Sequence, residues 1–422
     1  MIKFIVLKKI YDVLTNRPGR LLKKDFYSRL KPIVQSALTF RKLPRSERPR
    51  LYFDVSILAS YDNKTGVQRV IRSVFAEMKP LLADKYDVVP VSCTALTSGF
   101  YALEETENNI GEKKFSLTGY KISPERGDVF LSFEQAFVEH LAQEDTFKEM
   151  NNKGCRIILT VYDLLPLQLP NCFPVEVNSI FQNWLSVSSK YAEFLCDSKT
   201  VESDLRKYLS LTQHTLIKSY CFYPGSNFVK NVSSSGISKE QSCYLNNLKN
   251  FNFNFLMVGT IEPRKGHKTV LEIFSHLWKS YNDKLSLPFI GKEGWMVDDL
   301  TKSIKTSDAF NKNLFWFNDA SDSFLDQCYK QTDAVIIASL NEGFGLPILE
   351  AAQRKCRVIA NDIPIFREVA PKECFFLELT NPLIAIGQLK DWFENPSEPC
   401  TNAQVQTWKE ATLQILKKTS LI

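Results

Sequence analysis

From residue 51 onward, short β-branched and aromatic runs alternate with amphipathic stretches, and this alternation constrains the chain more than any other feature. A short apolar run set between helix-length segments suits a strand buried on both faces. Its repetition builds βαβ units and parallel sheets. In the first half, strands are expected at 51–56, 87–92, 128–133, 156–163 and 194–198, with helices at 66–83 and 175–191 among those between them. A second series is expected at 253–260, 287–291, 314–317, 333–339, 357–361 and 374–379. Between the two series the chain turns polar through GSNFVKNVSSSGISKEQ, the composition of a linker.

The expected organisation is a basic helical segment over 1–50, an α/β domain over 51–225, a linker over 226–250, a second α/β domain over 251–380, and helices over 381–422 that pack back across the domains. Open α/β sheets bind ligands outside the carboxyl ends of their strands, so the loops that follow strands are where chemistry is sought.

With 44% hydrophobic and 24% charged residues the chain is globular in composition, which excludes disordered and fibrous classes. The ten cysteines form no C-x-x-C pair and the four histidines show no ligand spacing, so a reducing compartment is expected and no zinc site. The opening MIKFIVLKK has neither the length of a membrane span nor a cleavage site, and a cytoplasmic location is expected.

Charge is distributed unevenly. Residues 1–50 hold 14 Lys and Arg against 3 Asp and Glu, which leaves 39 against 44 for residues 51–422. Two readings of this segment stand side by side. Its apolar residues recur at near-helical spacing among the cations, which suits an interfacial helix on an anionic membrane, each basic residue there contributing about 1 kcal/mol. The same pattern suits helices that pack on the protein's own body. No aromatic-basic module accompanies the charge, so nucleic acid is not an expected partner.

Two loops carry residues suited to an anionic sugar nucleotide. After the strand FNFLMVGT, the loop IEPRKG opens a helix, placing Arg264 and Lys265 at its amino terminus, where N–H groups and the helix dipole favour a diphosphate. A solvated turn with two surface cations is the plainer reading of the same loop. After the strand DAVIIAS comes Asn341-Glu342-Gly343-Phe344-Gly345-Leu346-Pro347-Ile348-Leu349-Glu350. Pro347 suits a first helical turn, which would put Glu350 in that turn and leave Glu342 in the loop. Gly343 and Gly345 allow close backbone approach, and carboxylates accept from sugar and ribose hydroxyls. Helix capping by Glu350 beside a plain glycine turn is the alternative.

The two motifs together, each after a strand, resemble the retaining GT-B glycosyltransferases of family 4, the glycosyl transferases group 1. The resemblance extends to TGVQRVIRSVF, TVYDLLPLQLP, FLCDSKTVESDL and CRVIANDIPIFREVAP, covers most of residues 51–380, and is closest to bacterial enzymes that add mannose or a related hexose to lipopolysaccharide O-chains or capsules.

It implies the GT-B fold, two Rossmann-like parallel-sheet domains facing a central cleft. It also implies metal-independent hexosyl transfer from a nucleotide diphosphate sugar to a lipid-linked glycan, with no cofactor. By position, Arg264 and Lys265 would bind the diphosphate and stabilise the departing nucleotide, and Glu350 would hold the ribose. Glu342 and the backbone of Gly343, Phe344, Gly345 and Leu346 would hold the sugar and distal phosphate. Gly66 would approach the phosphates, and Phe317, Asn318 and Asp319 would lie near the base.

Relatives often carry histidine before the aspartate that ends the strand at 156–163. This chain has Tyr162-Asp163, an acceptor-side pair in which tyrosine either meets a sugar hydroxyl or packs in the core.

Competing classes fit less well. A dinucleotide fingerprint would need a third glycine where Ile348 stands, a P-loop would need one at Arg264, and the D-x-D pair of metal-dependent GT-A enzymes does not occur. A GT-B protein without turnover, acting as a membrane-docked scaffold in glycan assembly, is the alternative from a different class.

Overall fold

The computed structural model describes residues 41–62, 65–107, 113–213, 217–226, 236–281, 283–400 and 406–422. Most of the basic segment expected at 1–50, and the middle of the linker expected at 226–250, lie outside the described residues. The chain divides into two compact units. Unit 1 takes the described residues up to Leu167, with Pro174–Gly225 and Thr407–Ile422; unit 2 takes Gln168–Phe173 and Ser226–Gln406.

The strands of unit 1 are β1 (Arg41–Lys42), β2 (Arg50–Asp54), β3 (Asp87–Ser92), β4 (Tyr101–Glu107), β5 (Lys113–Lys121), β6 (Val129–Ser132), β7 (Arg156–Val161), β8 (Glu193–Cys196) and β9 (Ser219–Cys221). Among the described residues they form one nine-stranded sheet in the order β1-β5-β4-β3-β2-β6-β7-β8-β9. Neighbours run parallel except at β4, which is antiparallel to both β3 and β5. That hairpin departs from the all-parallel expectation. Its arms, YALEETE and KKFSLTGYK, carry charge on a wet face and lack the apolar run that marks a central strand.

Strand β2 shows the opposite pattern, with Leu51, Tyr52 and Phe53 fully buried. Ser56, expected at the end of that strand, instead begins the helix Ser56–Ser60. The helix Gly66–Leu82 begins with a capping box between Thr65 and Gln68 and buries Val70, Ile71, Val74, Phe75, Met78 and Leu82 on one stripe.

Unit 2 contains β10 (Phe253–Val258), β11 (Leu285–Ile290), β12 (Leu314–Phe317), β13 (Ala334–Ile337), β14 (Arg357–Asn361) and β15 (Phe375–Leu377). They form a parallel sheet in the order β12-β11-β10-β13-β14-β15. Numbered within the unit this is 3-2-1-4-5-6, the doubly wound dinucleotide-fold order, whose switch point lies between β10 and β13. Every residue of β11 is buried, as a central parallel strand requires.

Two expected boundaries move. The helix Lys239–Asn247, inside the expected linker, belongs to unit 2, where Tyr244 packs on Phe315 and Phe317 at ring distances of 4.7 and 5.2 Å. The stretch 381–422 is also divided. Helix Pro382–Glu394 stays in unit 2, with Trp392 and Phe393 in the core beside Phe253 and Phe255. Helix Trp408–Lys418 packs in unit 1, where Trp408, Ile415 and Leu416 join the core that holds Val70 and Val74. Aromatic and aliphatic residues on its buried stripe decide this, since each fully buried side chain contributes roughly 1.5–3 kcal/mol.

Candidate functional site

The loops after β10 and β13 flank the switch point of unit 2 and interlock. After Val258 the chain passes Gly259 and forms a 3-10 turn, Pro263–Lys265, before the helix His267–Ser280. Leu340 N–H donates to the Arg264 carbonyl at 2.8 Å, tying the second loop to the first. Gly266 sits between them at φ 75°, and a Cβ there would stand 2.1 Å from the Ala338 carbonyl oxygen. Only glycine permits both the left-handed backbone and this approach.

The interlock delivers two cations to one carboxylate. Lys265 Nζ lies 2.5 Å from Glu342 Oε1 and Arg264 Nη1 lies 3.0 Å from Oε2, while Ser339 Oγ donates to Oε1 at 2.7 Å. Arg264 Nε stands 3.0 Å from Glu262 Oε2, so two cations face two carboxylates.

The Glu342 side chain is 12% exposed. Burial pushes its pKa up, but the charges of Lys265 and Arg264 and the Lys265 and Ser339 hydrogen bonds outweigh it, and the carboxyl is lowered to about 2. Glu342 is therefore ionised throughout the physiological range. Asn341 places its backbone, accepting from Glu342 N–H at 2.9 Å, and donates from Nδ2 to Gln168, also of unit 2, at 2.8 Å.

His267 opens the helix that follows the cations. It is buried against Phe289, rings 5.0 Å apart, and Nδ1 has no hydrogen-bond partner among the described residues. Burial first, then the Lys265 charge, lowers its pKa to about 3, so the imidazole is neutral. The N-cap, Gly266, provides no side-chain hydrogen bond to the amino-terminal N–H groups of this 14-residue helix, which begins just after the two cations in sequence.

The glycine-rich loop ends at Gly345, φ 91°, where a Cβ would press on the Phe366 ring at 3.0 Å. Helix Leu346–Gln353 follows, with Pro347 in its first turn. Glu350 is its fifth residue, past the first turn that the sequence led us to expect, and it is half-buried. Its charge raises the pKa of the Tyr329 hydroxyl, although burial is the larger cause there. Gly343, Phe344 and Gly345 are buried and Leu346 is half-buried.

The remaining expected residues stand as follows. Phe317 ends β12 with its ring in the core, 4.8 Å from Phe324 and 5.2 Å from Tyr244, so the ring is not offered to a base. Asn318 and Asp319 are exposed, and the Asp319 carbonyl accepts from Gln241 at 2.9 Å. Gly66 is exposed at the first position of its helix in unit 1. Tyr162 is buried and its hydroxyl donates to the Phe133 carbonyl at 2.9 Å, which is the geometry of a packed tyrosine. Asp163 accepts from Leu165 N–H at 3.0 Å and so starts the short helix Leu165–Gln168.

Sequence reasoning passed over Glu262, Ser339 and Asn341, which neighbour the motifs in sequence but whose aim depends on the interlock. It also passed over a buried polar cluster beside the unit 1 switch point. There Asp54 accepts from Ser56 N–H at 3.0 Å and Ser132 Oγ at 2.8 Å, with His140 Nε2 at 2.8 Å. Trp184 Nε1 lies 3.4 Å from His140 Nδ1, which assigns the Nε2 proton to the Asp54 side. Glu134 accepts from Leu58 N–H at 2.8 Å; burial and then the Asp54 charge hold its pKa well above the usual carboxylate range. Among the described residues no group of three or more His, Cys, Asp and Glu has metal-binding geometry.

Residues 246–402 match the family model described as Glycosyl transferases group 1. The chain is 30% identical over 426 residues to the serotype-specific mannosyltransferase WbdA of Escherichia coli, covering 97% of this chain and 51% of that protein. It spans about half the length of the curated relatives it matches first, 45 to 51%.

Among solved structures it superposes on sucrose-phosphate synthase (tll1590) from Thermosynechococcus elongatus with a TM-score of 0.61 at 12% identity, covering 89% of this chain and 99% of that one. It also superposes on Anabaena Alr3699/HepE, solved in complex with UDP and glucose, with a TM-score of 0.58 at 13% identity, covering 89% and 100%. The chain thus has the GT-B fold, and its residues 246–402 are similar to the glycosyl transferases group 1 family.

Proposed function

We infer that this protein transfers a hexose, mannose first among them, from a nucleotide diphosphate sugar to a growing lipid-linked glycan in O-antigen or capsule synthesis, with retention and without a metal. The observation that carries this reading is the Arg264–Lys265–Glu342 cluster at the switch point, next to an uncapped helix amino terminus. The serotype-specific mannosyltransferase among the relatives supports the sugar, and others named as O-antigen chain mannosyltransferases support the pathway class.

In this reading Arg264 and Lys265 exchange part of their bonding from Glu342 to the diphosphate and neutralise the charge that develops as the nucleotide leaves. Groups of this kind are worth ~3–4 kcal/mol each in a reaction barrier. Glu342, released from one partner, meets a donor-sugar hydroxyl, with the Gly343 to Leu346 backbone beside it. Glu350 takes the ribose. Gly66 approaches the phosphates, and the backbone of Phe317 with Asn318 and Asp319 borders the base. Among the described residues no helix is long and apolar enough to cross a membrane, and the working location proposed is the cytoplasmic face of the inner membrane.

One observation favours the scaffold alternative: Tyr162, where relatives often carry histidine, is packed and not presented to an acceptor. Calorimetry with GDP, UDP, dTDP and ADP and their sugars, with EDTA present, separates the two. Binding of one nucleotide that Arg264→Ala and Glu350→Ala both weaken supports transfer; no binding to any favours the scaffold.

A further inference from the structure

Unit 1 holds a cavity of about 200 Å³ that the proposed transfer does not use. It lies where β1, β5, the loop between β3 and β4, and the end of helix Glu144–Asn152 come together. Lys42, Lys121, Lys153 and Glu149 line it, with Ser98 and Ser123.

Its floor is rigidly made. The Gln143 side chain accepts from Gly99 N–H at 2.6 Å and donates to the Thr94 and Thr97 carbonyls at 3.1 and 2.7 Å, which pins the whole turn. Gly99 has φ 85°, and a Cβ there would stand 2.4 Å from Lys121 Cε. The lysine stem therefore lies across bare backbone, an arrangement that a larger residue at 99 would break.

Three lysines and one carboxylate line the cavity, and only one of the lysines is paired with it. Lys153 Nζ pairs with Glu149 at 2.6 Å. The Lys153 hydrogen bond and charge, opposed by a smaller burial effect, lower the Glu149 pKa, and Lys121 and Lys42 are near enough to lower it further. The ammonium groups of Lys42 and Lys121 have no hydrogen-bond or ion-pair partner among the described residues. The carbonyls that end the helix are already engaged by the N–H groups of Lys153, Gly154 and Cys155, so they do not compete for the lysines.

We propose that this cavity binds a phosphoryl group. The two positive charges left over match a phosphate dianion, the lysines act as point charges toward its oxygens, and the serine hydroxyls in the lining suit the same oxygens. Lys42 also belongs to the segment of 50 residues that holds 14 of the chain's 53 cations, so the cavity stands at the root of its most basic region. The phosphoryl group comes either from a soluble diphosphate or from a lipid headgroup.

The test uses the full chain, wild type and Lys121→Met, which keeps the stem across Gly99 and removes the charge. In one arm, hydrogen exchange is followed by mass spectrometry with and without inorganic pyrophosphate. In the other, sedimentation is measured with vesicles of phosphatidylcholine alone or with phosphatidylglycerol added. Protection of peptides spanning 94–100 and 119–124 that is lost in Lys121→Met supports a soluble phosphoryl ligand. Salt-sensitive binding to the anionic vesicles that weakens about fivefold in Lys121→Met, the effect of one lysine near such a surface, supports the headgroup. Protection confined to 259–268, together with vesicle binding equal in the two proteins, overturns the proposal. Lys121→Met is expected to melt with the wild type, and a second variant, Lys153→Met, repeats both arms should it not.

Discussion

Lys265 Nζ stands 2.5 Å from Glu342 Oε1 although 77 residues separate them. The contact exists because Gly266 lets the loop after β10 press on the end of β13. The Arg264–Lys265 pair is thus held in place by an internal carboxylate, and under the proposed function a donor diphosphate would have to compete with it.

That competition separates binding from turnover. In Glu342→Gln the cations lose a rival, so the nucleotide diphosphate should bind as tightly as in wild type or more tightly. Turnover should fall by roughly 100-fold or more, as when a preorganised polar group at a reacting centre is removed. Calorimetry beside steady-state kinetics checks both; a parallel loss of affinity and turnover would contradict the competition.

Removing a cation instead leaves carboxylates in excess at a buried position. Arg264→Ala should lower stability by about 1–3 kcal/mol, read from denaturant midpoints, because Glu342 loses a hydrogen-bonded partner and Glu262 an ion-pair partner. It should also weaken nucleotide binding, and Arg264→Lys should restore stability better than affinity, since lysine replaces the charge but not the fork.

The backbone carries the same argument. Gly266→Ala places a Cβ against the Ala338 carbonyl at φ 75°. The left-handed conformation alone costs on the order of 1–3 kcal/mol, and the clash adds to it. A loss of stability together with nucleotide affinity is expected; a variant that melts with wild type would show that the interlock is loose.

Acid titration follows from two groups. Glu342 titrates at about 2 in the folded protein against an ordinary 4.5, so its contribution is whole above 4.5 and is lost as pH falls toward 2. His267 titrates at about 3 against an ordinary 6.5, so its contribution is present above 6.5 and lost on the way down to 3. Both make the protein weaker in acid, with His267 acting first. In His267→Gln the slope of stability with pH between about 6.5 and 4.5 should flatten, which urea midpoints at several pH values measure.

Tyr162→Phe removes the hydroxyl that donates to Phe133. A loss of about 1 kcal/mol in stability, with kcat and KM unchanged, is expected of a packed tyrosine. A change in acceptor KM alone would return it to the sugar.

The strands that flank the switch point of unit 2 were legible because FLM and AVII are buried on both faces and the next loop follows closely. The β4–β5 hairpin was not, because one face is wet and its arms carry more charge than a propensity reading accepts. Glu342, Arg264 and Lys265 could be named from their loops, yet nothing in sequence shows that they bond each other. Asp54 and His140, 86 residues apart with no ligand spacing, meet only because β2 and β6 are neighbours and His140 follows β6 closely. The direction of the Phe317 ring was not legible for a related reason: a strand-end aromatic looks the same in sequence whether its ring faces solvent or, as here, Tyr244 and Phe324.

Sugar transfer is proposed at the Arg264–Lys265–Glu342 cluster. Its most direct measurement is incubation of the full chain, in EDTA, with nucleotide diphosphate hexoses and a lipid-linked glycan acceptor, with the new linkage read by NMR. An elongated glycan whose anomeric configuration matches that of the donor is expected, with a product yield that collapses in Glu342→Gln and Arg264→Ala. An inverted linkage, a requirement for added metal, or equal product from those variants would contradict it.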